Sequence, residues 1–301
     1  MKVFLIIFLV LLLLIPLILG LYLIIFNHYY KKYFSRHGKF LKSQNKKFLK
    51  ELNDSQTSIF SDFSPLHCEN GDIKLNGIYK NNGKNKLAIL AHSFGQDHRS
   101  LSKQSEFFLQ EGFDVLVIDL RGHGKSEGES SLGVYEAKDI VVWVNKSLDL
   151  NPNYNIVLYG VGLGASSQLL SLPNLPNSVR LAISESGFDS GKKQLSFLMS
   201  KDKIRLPFKS FFNYLKRTQF IPIQNTDCVE SLKKSKVKVI IMHDENDEIV
   251  PLEMAYSLQE NQSKKEENFI IFPECLHGEA IEKQPYKFKT NLSKLLKRNG
   301  F

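Results

Sequence analysis

Two residues late in the chain have the types and the placement for acid–base chemistry. Asp247 and His277 each follow an apolar run, residues 237–242 and 269–272, that reads as a buried strand. An imidazole acting as a base needs a buried carboxylate to fix its tautomer and stabilise its cation. Asp247 suits that role, and Asp244, nearer the end of its strand, is the second candidate. A third stretch precedes both, NIVLYGVGLGASSQLL at 155–170: an apolar run, glycines at 160, 162 and 164, then the opening of a helix. Strand, tight Gly-rich turn and helix together present one residue at the top of a parallel sheet.

Taken alone, that turn supports three readings. As G-x-S-x-G it is a nucleophile elbow whose strained turn exposes a serine, with Gly162 in the serine's slot. As G-x-G-x-x-A it is a dinucleotide-binding turn, with Glu185 after the next strand as the ribose-binding acid. It is also simply a tight strand–helix turn with no chemistry.

The elements that must position these residues follow from hydrophobic pattern. Residues 87–91, 115–118, 156–159, 181–184, 237–242 and 269–272 read as buried strands. Helical spacing covers 101–110, 133–148, 252–260 and 285–297. Strands alternating with helices imply a mostly parallel central sheet covered on both faces. Ahead of them, 60–66 and 73–79 alternate as strands around a turn at 69–72, where Asn70-Gly71 is a favoured hairpin dipeptide. Between Phe188 and Ser235 the pattern breaks into phenylalanines mixed with lysines. This stretch reads as a short helical lid, about 189–235, or as an ordinary crossover helix. Its phenylalanines suggest an apolar acyl or lipid group as ligand. Ligands in open α/β sheets sit at the carboxyl ends of the strands. The loops that land there are 92–95, 160–164, 243–251 and 274–279.

Residues 3–26 carry no charge, and as a helix they would be about 36 Å long, enough to cross a bilayer core. A cleaved signal peptide is the rival, but no A-x-A site follows. Tyr22, Tyr29, Tyr30 and Tyr33 suit an interfacial belt. The net charge of +9 is confined to the first 50 residues: Lys2, Lys31, Lys32, Arg36, Lys39, Lys42, Lys46, Lys47 and Lys50, with no acid among them. The remainder is balanced, which argues against nucleic acid and assigns the excess to a membrane surface. Residues 31–52 read as a basic, partly amphipathic helix on the lipid, or as a solvated linker. The positive-inside rule would keep this stretch, and hence the domain, on the cytoplasmic side. The division expected is an anchor at 1–26, a basic segment at 27–52 and a catalytic-type domain at 53–301, in a single-pass protein of the cell membrane. Cys68, Cys228 and Cys275 are widely spaced and form no CxxC pair, so neither a disulfide framework nor a metal site is read, and no cofactor is implied.

With these residues in view the chain resembles the α/β-hydrolases, in particular the membrane-anchored bacterial serine-hydrolase group (serine aminopeptidase-like). The carriers are HSFG (92–95), DLRGHGKSEG (119–128), YGVGLGAS (159–166), HDENDEIVP (243–251) and LHGEA (276–280), and the resemblance covers roughly 27–301. The order turn, Asp247, His277 is that of the family's triad. A dinucleotide fingerprint would open the domain rather than fall in its middle, and it explains none of these segments. The resemblance implies acyl transfer to water from an ester, amide or peptide bond. It makes His277 the general base, Asp247 its orienting acid, and the backbone N–H groups of Phe94 and Leu163 the oxyanion hole.

Two departures fall in the site. Gly162 replaces the nucleophilic serine, and Ser93 stands where the family's loop usually has a second small glycine after His. Ser166 and Ser167, inside the helix, would face away. Cys275, two residues before His277, is poorly placed to meet the imidazole's far nitrogen. A water in the space beside Gly162, activated by His277, is the best substitute, worth about 10²–10⁴-fold by general-base catalysis. The reading is therefore a membrane-anchored protein of hydrolase descent with weak or lost activity. The alternative is a non-catalytic binding or scaffold protein on the same fold, with a small ester, amide or acyl ligand.

Overall fold

The computed structural model describes residues 2–52, 57–203, 206–262 and 268–301. The apolar runs pair into one eight-stranded sheet: β1 (Ser64–Asn70), β2 (Ile73–Lys80), β3 (Lys86–Ala91), β4 (Asp114–Ile118), β5 (Asn155–Val161), β6 (Val179–Glu185), β7 (Lys238–Asp244) and β8 (Phe269–Phe272). The order is β1-β2-β4-β3-β5-β6-β7-β8, antiparallel from β1 to β4 and parallel from β4 onward. The chain goes from β3 outward to β4 and then returns to lay β5 on the other side of β3. The loops that leave β3 and β5 therefore face each other across the topological switch point, where such sheets bind ligands.

Eleven α-helices lie in the described residues: α1 (Lys2–Tyr33), α2 (Lys39–Glu51), α3 (Ser102–Gln110), α4 (Glu136–Leu150), α5 (Leu163–Ser171), α6 (Gly191–Lys201), α7 (Phe208–Thr218), α8 (Cys228–Lys234), α9 (Leu252–Glu260), α10 (Ala280–Lys283) and α11 (Pro285–Arg298). Side chains alternate across the sheet. Leu87, Ile89 and Ala91 of β3 join a core with α4, α5 and α9, while Ala88 and Leu90 join one with α3 and α11. The expected mostly parallel sheet covered on both faces is present.

The stretch expected as a strand at 60–66 is instead a 3₁₀ turn, Ser58–Asp62, followed by β1. Phe60 and Phe63 pack their rings 5.2 Å apart on the same face, and three-residue spacing is satisfied by a 3₁₀ turn rather than by alternation. In the hairpin, Asn70 pairs with Ile73, so the turn is Gly71-Asp72, one residue later than expected. Residue 53, the expected domain start, and residues 204–205 of the lid lie outside the described residues.

Within α1, Leu12–Tyr33 is long and apolar enough to cross a membrane, with a mean hydropathy of 2.0. The helix does not stop at residue 26. From Phe26 onward it docks on the 189–235 segment, where Phe26 meets Phe211 and Tyr214 at 5.5 and 5.6 Å. Tyr33 and Phe34 are buried there too. Tyr30 donates to Glu129 at 2.6 Å, and Tyr33 donates to Asp202, so these two tyrosines face protein rather than an interfacial belt. The basic segment differs from expectation as well. α2 is a helix, but its apolar Leu41 and Phe48 are buried against the domain. Lys39, Lys42, Lys46 and Lys50 are exposed, the last three along a cleft between the helix and the loops at Asp97 and His123. An apolar stripe lowers the free energy by leaving water, and here the domain surface takes it up.

The stretch expected as a lid or crossover forms α6 and α7, followed by α8, which lies directly before β7 as a crossover helix would. The phenylalanines Phe208, Phe211 and Phe212 of α7 pack together and on α1, not over the sheet's carboxyl edge. Phe188 and Leu198, earlier in the same stretch, line the cavity beside His277, and these three do not.

Candidate active site

Gly162 follows β5 directly and caps α5 with φ 53° and ψ −113°, a conformation that an L side chain holds only under strain. This is the elbow geometry. Gly164 is required by close approach, since a Cβ there would lie 2.2 Å from the Ala91 carbonyl oxygen. Its N–H donates to His92 O at 3.1 Å, which ties α5 to the loop after β3.

His277 sits in the loop after β8. Its Nδ1 donates to Asp247 Oδ2 at 2.6 Å. The other oxygen, Oδ1, accepts from the N–H groups of Ile249 and Val250 at 2.8 Å each, so the carboxylate is held on every side. Burial works to raise the Asp247 pKa. The His277 charge and hydrogen bond, together with the Val250 N–H, outweigh it and hold the carboxyl below its usual range. Burial likewise opposes a charge on His277, and the Asp247 carboxylate more than offsets that, leaving its pKa raised. Asp247, not Asp244, is thus the partner of the imidazole.

Asp244 holds the scaffold. Its Oδ2 accepts from Ser186 Oγ at 2.9 Å and from Gly278 N at 2.8 Å, joining the loops after β6 and β8. Burial pushes its pKa up to about 6. Glu185 is fully buried and accepts a hydrogen bond from the Tyr159 hydroxyl. Burial raises its pKa, and the Asp244 and Asp247 charges raise it further. It is closed off from any ribose, so the dinucleotide reading ends here.

The loop after β3 supplies what sequence reasoning missed. Ser93 Oγ lies 2.8 Å from His277 Nε2. A Cβ built on Gly162 would fall 2.3 Å from that oxygen and 2.7 Å from His277 Nε2. The Ser93 hydroxyl therefore fills the space in which a substitute water was expected beside Gly162. The loop is braced by His92, whose Nδ1 bonds Ser93 O at 2.7 Å while its Nε2 accepts from Leu120 N at 3.0 Å. Burial lowers the His92 pKa, so it stays neutral in that double role. The readable signal was the reciprocal exchange itself: serine where a glycine is usual, glycine where a serine is usual.

The other expected substitutes are placed as anticipated. Ser166 Oγ bonds Gly162 O and Phe188 O and accepts from Phe188 N, while Ser167 Oγ bonds Leu163 O. Cys275 is buried against Gln284, and burial raises its thiol pKa. Leu163 N–H is the first of α5 and so has no intrahelical acceptor. Neither it nor Phe94 N–H is engaged by another group of the described residues. The DLRGHGKSEG segment does not reach His277 but shapes its surroundings. Arg121 pairs with Asp139 at 2.6 Å, and the His123 ring lies 5.2 Å from Phe94. No cluster able to hold a metal ion occurs among the described residues. A cavity of about 150 Å³ opens on Ser93, Phe94, Gly162, Leu163 and His277.

Residues 86–203 match the family described as alpha/beta hydrolase fold. Among curated proteins the chain is similar to uncharacterized protein R595 of Acanthamoeba polyphaga mimivirus, 28% identical over 197 residues, which are 60% of this chain and 63% of that protein. The chain thus spans less than two thirds of that relative. It is also similar to uncharacterized protein YqkD of Bacillus subtilis (strain 168), 24% identical over 241 residues, 73% of this chain and 77% of that one. Among solved structures, Pyrococcus furiosus esterase Pf2001 superposes with a TM-score of 0.66 at 21% identity, covering 82% of this chain and 96% of that one. Est1E from Butyrivibrio proteoclasticus, with ferulic acid bound, superposes with a TM-score of 0.62 at 18% identity, covering 78% and 98%. The match over the central strands and the shared fold agree with the strand order and the turn after β5: the chain has the α/β-hydrolase fold.

Proposed function

We propose that the protein is an ester hydrolase whose nucleophile is Ser93, with His277 as general base and Asp247 as the acid that orients it. One observation carries this reading: Ser93 Oγ lies 2.8 Å from His277 Nε2, whose ring's Nδ1 lies 2.6 Å from Asp247 Oδ2, at the place an elbow serine would occupy. Similarity to the esterase Pf2001, and to Est1E with a carboxylic acid, ferulic acid, bound, supports an ester as the substrate. With Nδ1 protonated toward Asp247, Nε2 is free to take the Ser93 proton as Oγ attacks the carbonyl carbon. The resulting oxyanion is received by the N–H groups of Phe94 and Leu163. Collapse breaks the bond to the leaving alkoxide, which takes the proton from His277. Water then repeats the sequence, releasing the acid and restoring Ser93. Weak or lost activity would follow from Gly162 only if the elbow were the one source of a hydroxyl.

The test is labelling by a fluorophosphonate probe with peptide mapping, alongside p-nitrophenyl butyrate hydrolysis. The adduct is expected on Ser93. Ser93→Ala should abolish labelling and lower turnover by about 10³-fold or more. Turnover unchanged in Ser93→Ala but lost in His277→Ala would hand the reaction to a water. No labelling and no turnover in the unaltered chain would leave a binding protein.

A further inference from the structure

Helix α2 carries one stripe of residues that line the cavity at Ser93: Phe40, Gln44, Lys47, Phe48 and Glu51. Their spacing is that of one helix face. The helix is seated closely on the loop that bears Ser93. A Cβ on Gly95 would lie 2.3 Å from Gln44 Cβ, so only glycine lets the helix approach this far. Asn45 Nδ2 donates to Gly95 O at 3.2 Å, and the Phe40 ring lies 5.2 Å from that of Phe94. Across the cavity stand Leu132, Phe188, Leu198 and Ile249. The space between is about 150 Å³, a volume that in an engineered cavity holds benzene; Gln96, Gln194, Glu248 and Glu279 complete the lining, and the apolar part has room for a group of roughly six carbons. Phe48, only 6% exposed, lines both this cavity and a second cleft of about 280 Å³ toward Arg99, Ser100 and Glu282; Glu51, Gln96, His277 and Glu279 line both as well, and Phe48 is the one apolar side chain of the five.

We propose that α2 is the far wall of the acyl pocket and that Phe48, as the partition, limits the acyl group of the ester to about six carbons. The substrate class is then a short-chain carboxylic ester, not a long-chain lipid. This proposal rests on the reading of Ser93 as nucleophile, and its test is arranged to separate the two.

The full-length protein in detergent is assayed against p-nitrophenyl esters of two to ten carbons, at one detergent concentration so that partitioning cancels between variants. For the unaltered chain, kcat/KM should peak at four to six carbons and be at least tenfold lower at ten. Phe48→Ala should raise the decanoate-to-butyrate ratio tenfold or more, since each accommodated methylene is worth roughly fourfold. Phe48→Leu, which keeps an apolar helix former in the seat, should raise it by a smaller factor. A loss equal at every chain length in both variants marks Phe48 as packing alone and overturns the proposal. So does a peak at ten carbons in the unaltered chain.

The second readout needs no turnover: affinity of Ser93→Ala for hexanoate and decanoate, with and without Phe48→Ala. If no Ser93-dependent turnover exists but Phe48→Ala still shifts binding toward decanoate, the pocket wall stands and the nucleophile falls. If turnover depends on Ser93 but the length profile does not move, the nucleophile stands and the pocket wall falls. Absence of length-dependent binding and of turnover alike overturns the proposal.

Discussion

At Ser93 and Gly162 the hydroxyl and the bare backbone have traded places, and each depends on the other. A serine at 162 would put its Cβ 2.3 Å from Ser93 Oγ, so Ser93 must rotate off His277, and His277 itself must give by several tenths of an ångström. Gly162→Ser alone is therefore expected to gain no esterase activity and to lose stability. Ser93→Gly combined with Gly162→Ser should recover both turnover and fluorophosphonate labelling, now mapped to 162. Recovery by Gly162→Ser alone would show that Ser93 yields the site freely. The base must be neutral to accept a proton. Because the Asp247 carboxylate raises the His277 pKa, the acidic limb of kcat/KM should fall above the ordinary imidazole value of 6.5. In Asp247→Asn that limb should move down, as a pH–rate profile would show. Asp247 and His277 were legible because each follows a strand end in a recognisable order. Ser93 was not, because its reach to the imidazole depends on β3 lying beside β5, which is a property of strand order and not of any local pattern.

Among the elements, the loops after β6, β7 and β8 are held together through Asp244, and this has a cost in pH dependence. Its folded pKa of about 6 lies above the ordinary carboxyl value of 3.8. The folded state thus holds the proton more tightly, and the contribution is fully stabilising only below the unfolded pKa. It is lost as pH rises from about 3.8 through about 6. Asp244→Asn keeps an acceptor for Gly278 N–H, so it should flatten the pH dependence of Tm across that window. A slope as steep as in the unaltered chain would contradict the assignment. Strands buried on both faces were legible from continuous apolar runs, and β8 lies at its expected residues. The 58–62 turn was misread because Phe60 and Phe63 share a face through three-residue spacing, which a period-two pattern obscures. The seat of α2 was likewise unreadable, since an amphipathic basic helix satisfies its apolar stripe equally on lipid or on protein.

Taken whole, the molecule does not divide at residue 52. Phe26, Tyr33, Phe34, Leu41 and Phe48 are all buried in the body, and at about 2 kcal/mol each their burial amounts to an upper figure of roughly 10 kcal/mol. That is comparable to the whole stability of an ordinary domain. A chain begun at residue 53 is expected to aggregate or melt far lower, whereas one begun near residue 25, keeping α2, should stay folded. Size-exclusion chromatography and a thermal melt of the two would compare them, and equal melting temperatures would argue that the docking is energetically idle. The same docking leaves little slack in the joint between α1 and α2. Arg36 donates to the carbonyls of Gly124 and Ser126 at 2.7 and 2.8 Å, and Lys32 pairs with Asp202 at 2.6 Å. If α1 stands in a bilayer, the body is mounted on a stiff post instead of a tether, so the pocket mouth keeps a fixed height and bearing above the lipid. Only lateral drift and spin about the membrane normal would then remain to it, and a water-borne ester would always meet the mouth at that one height.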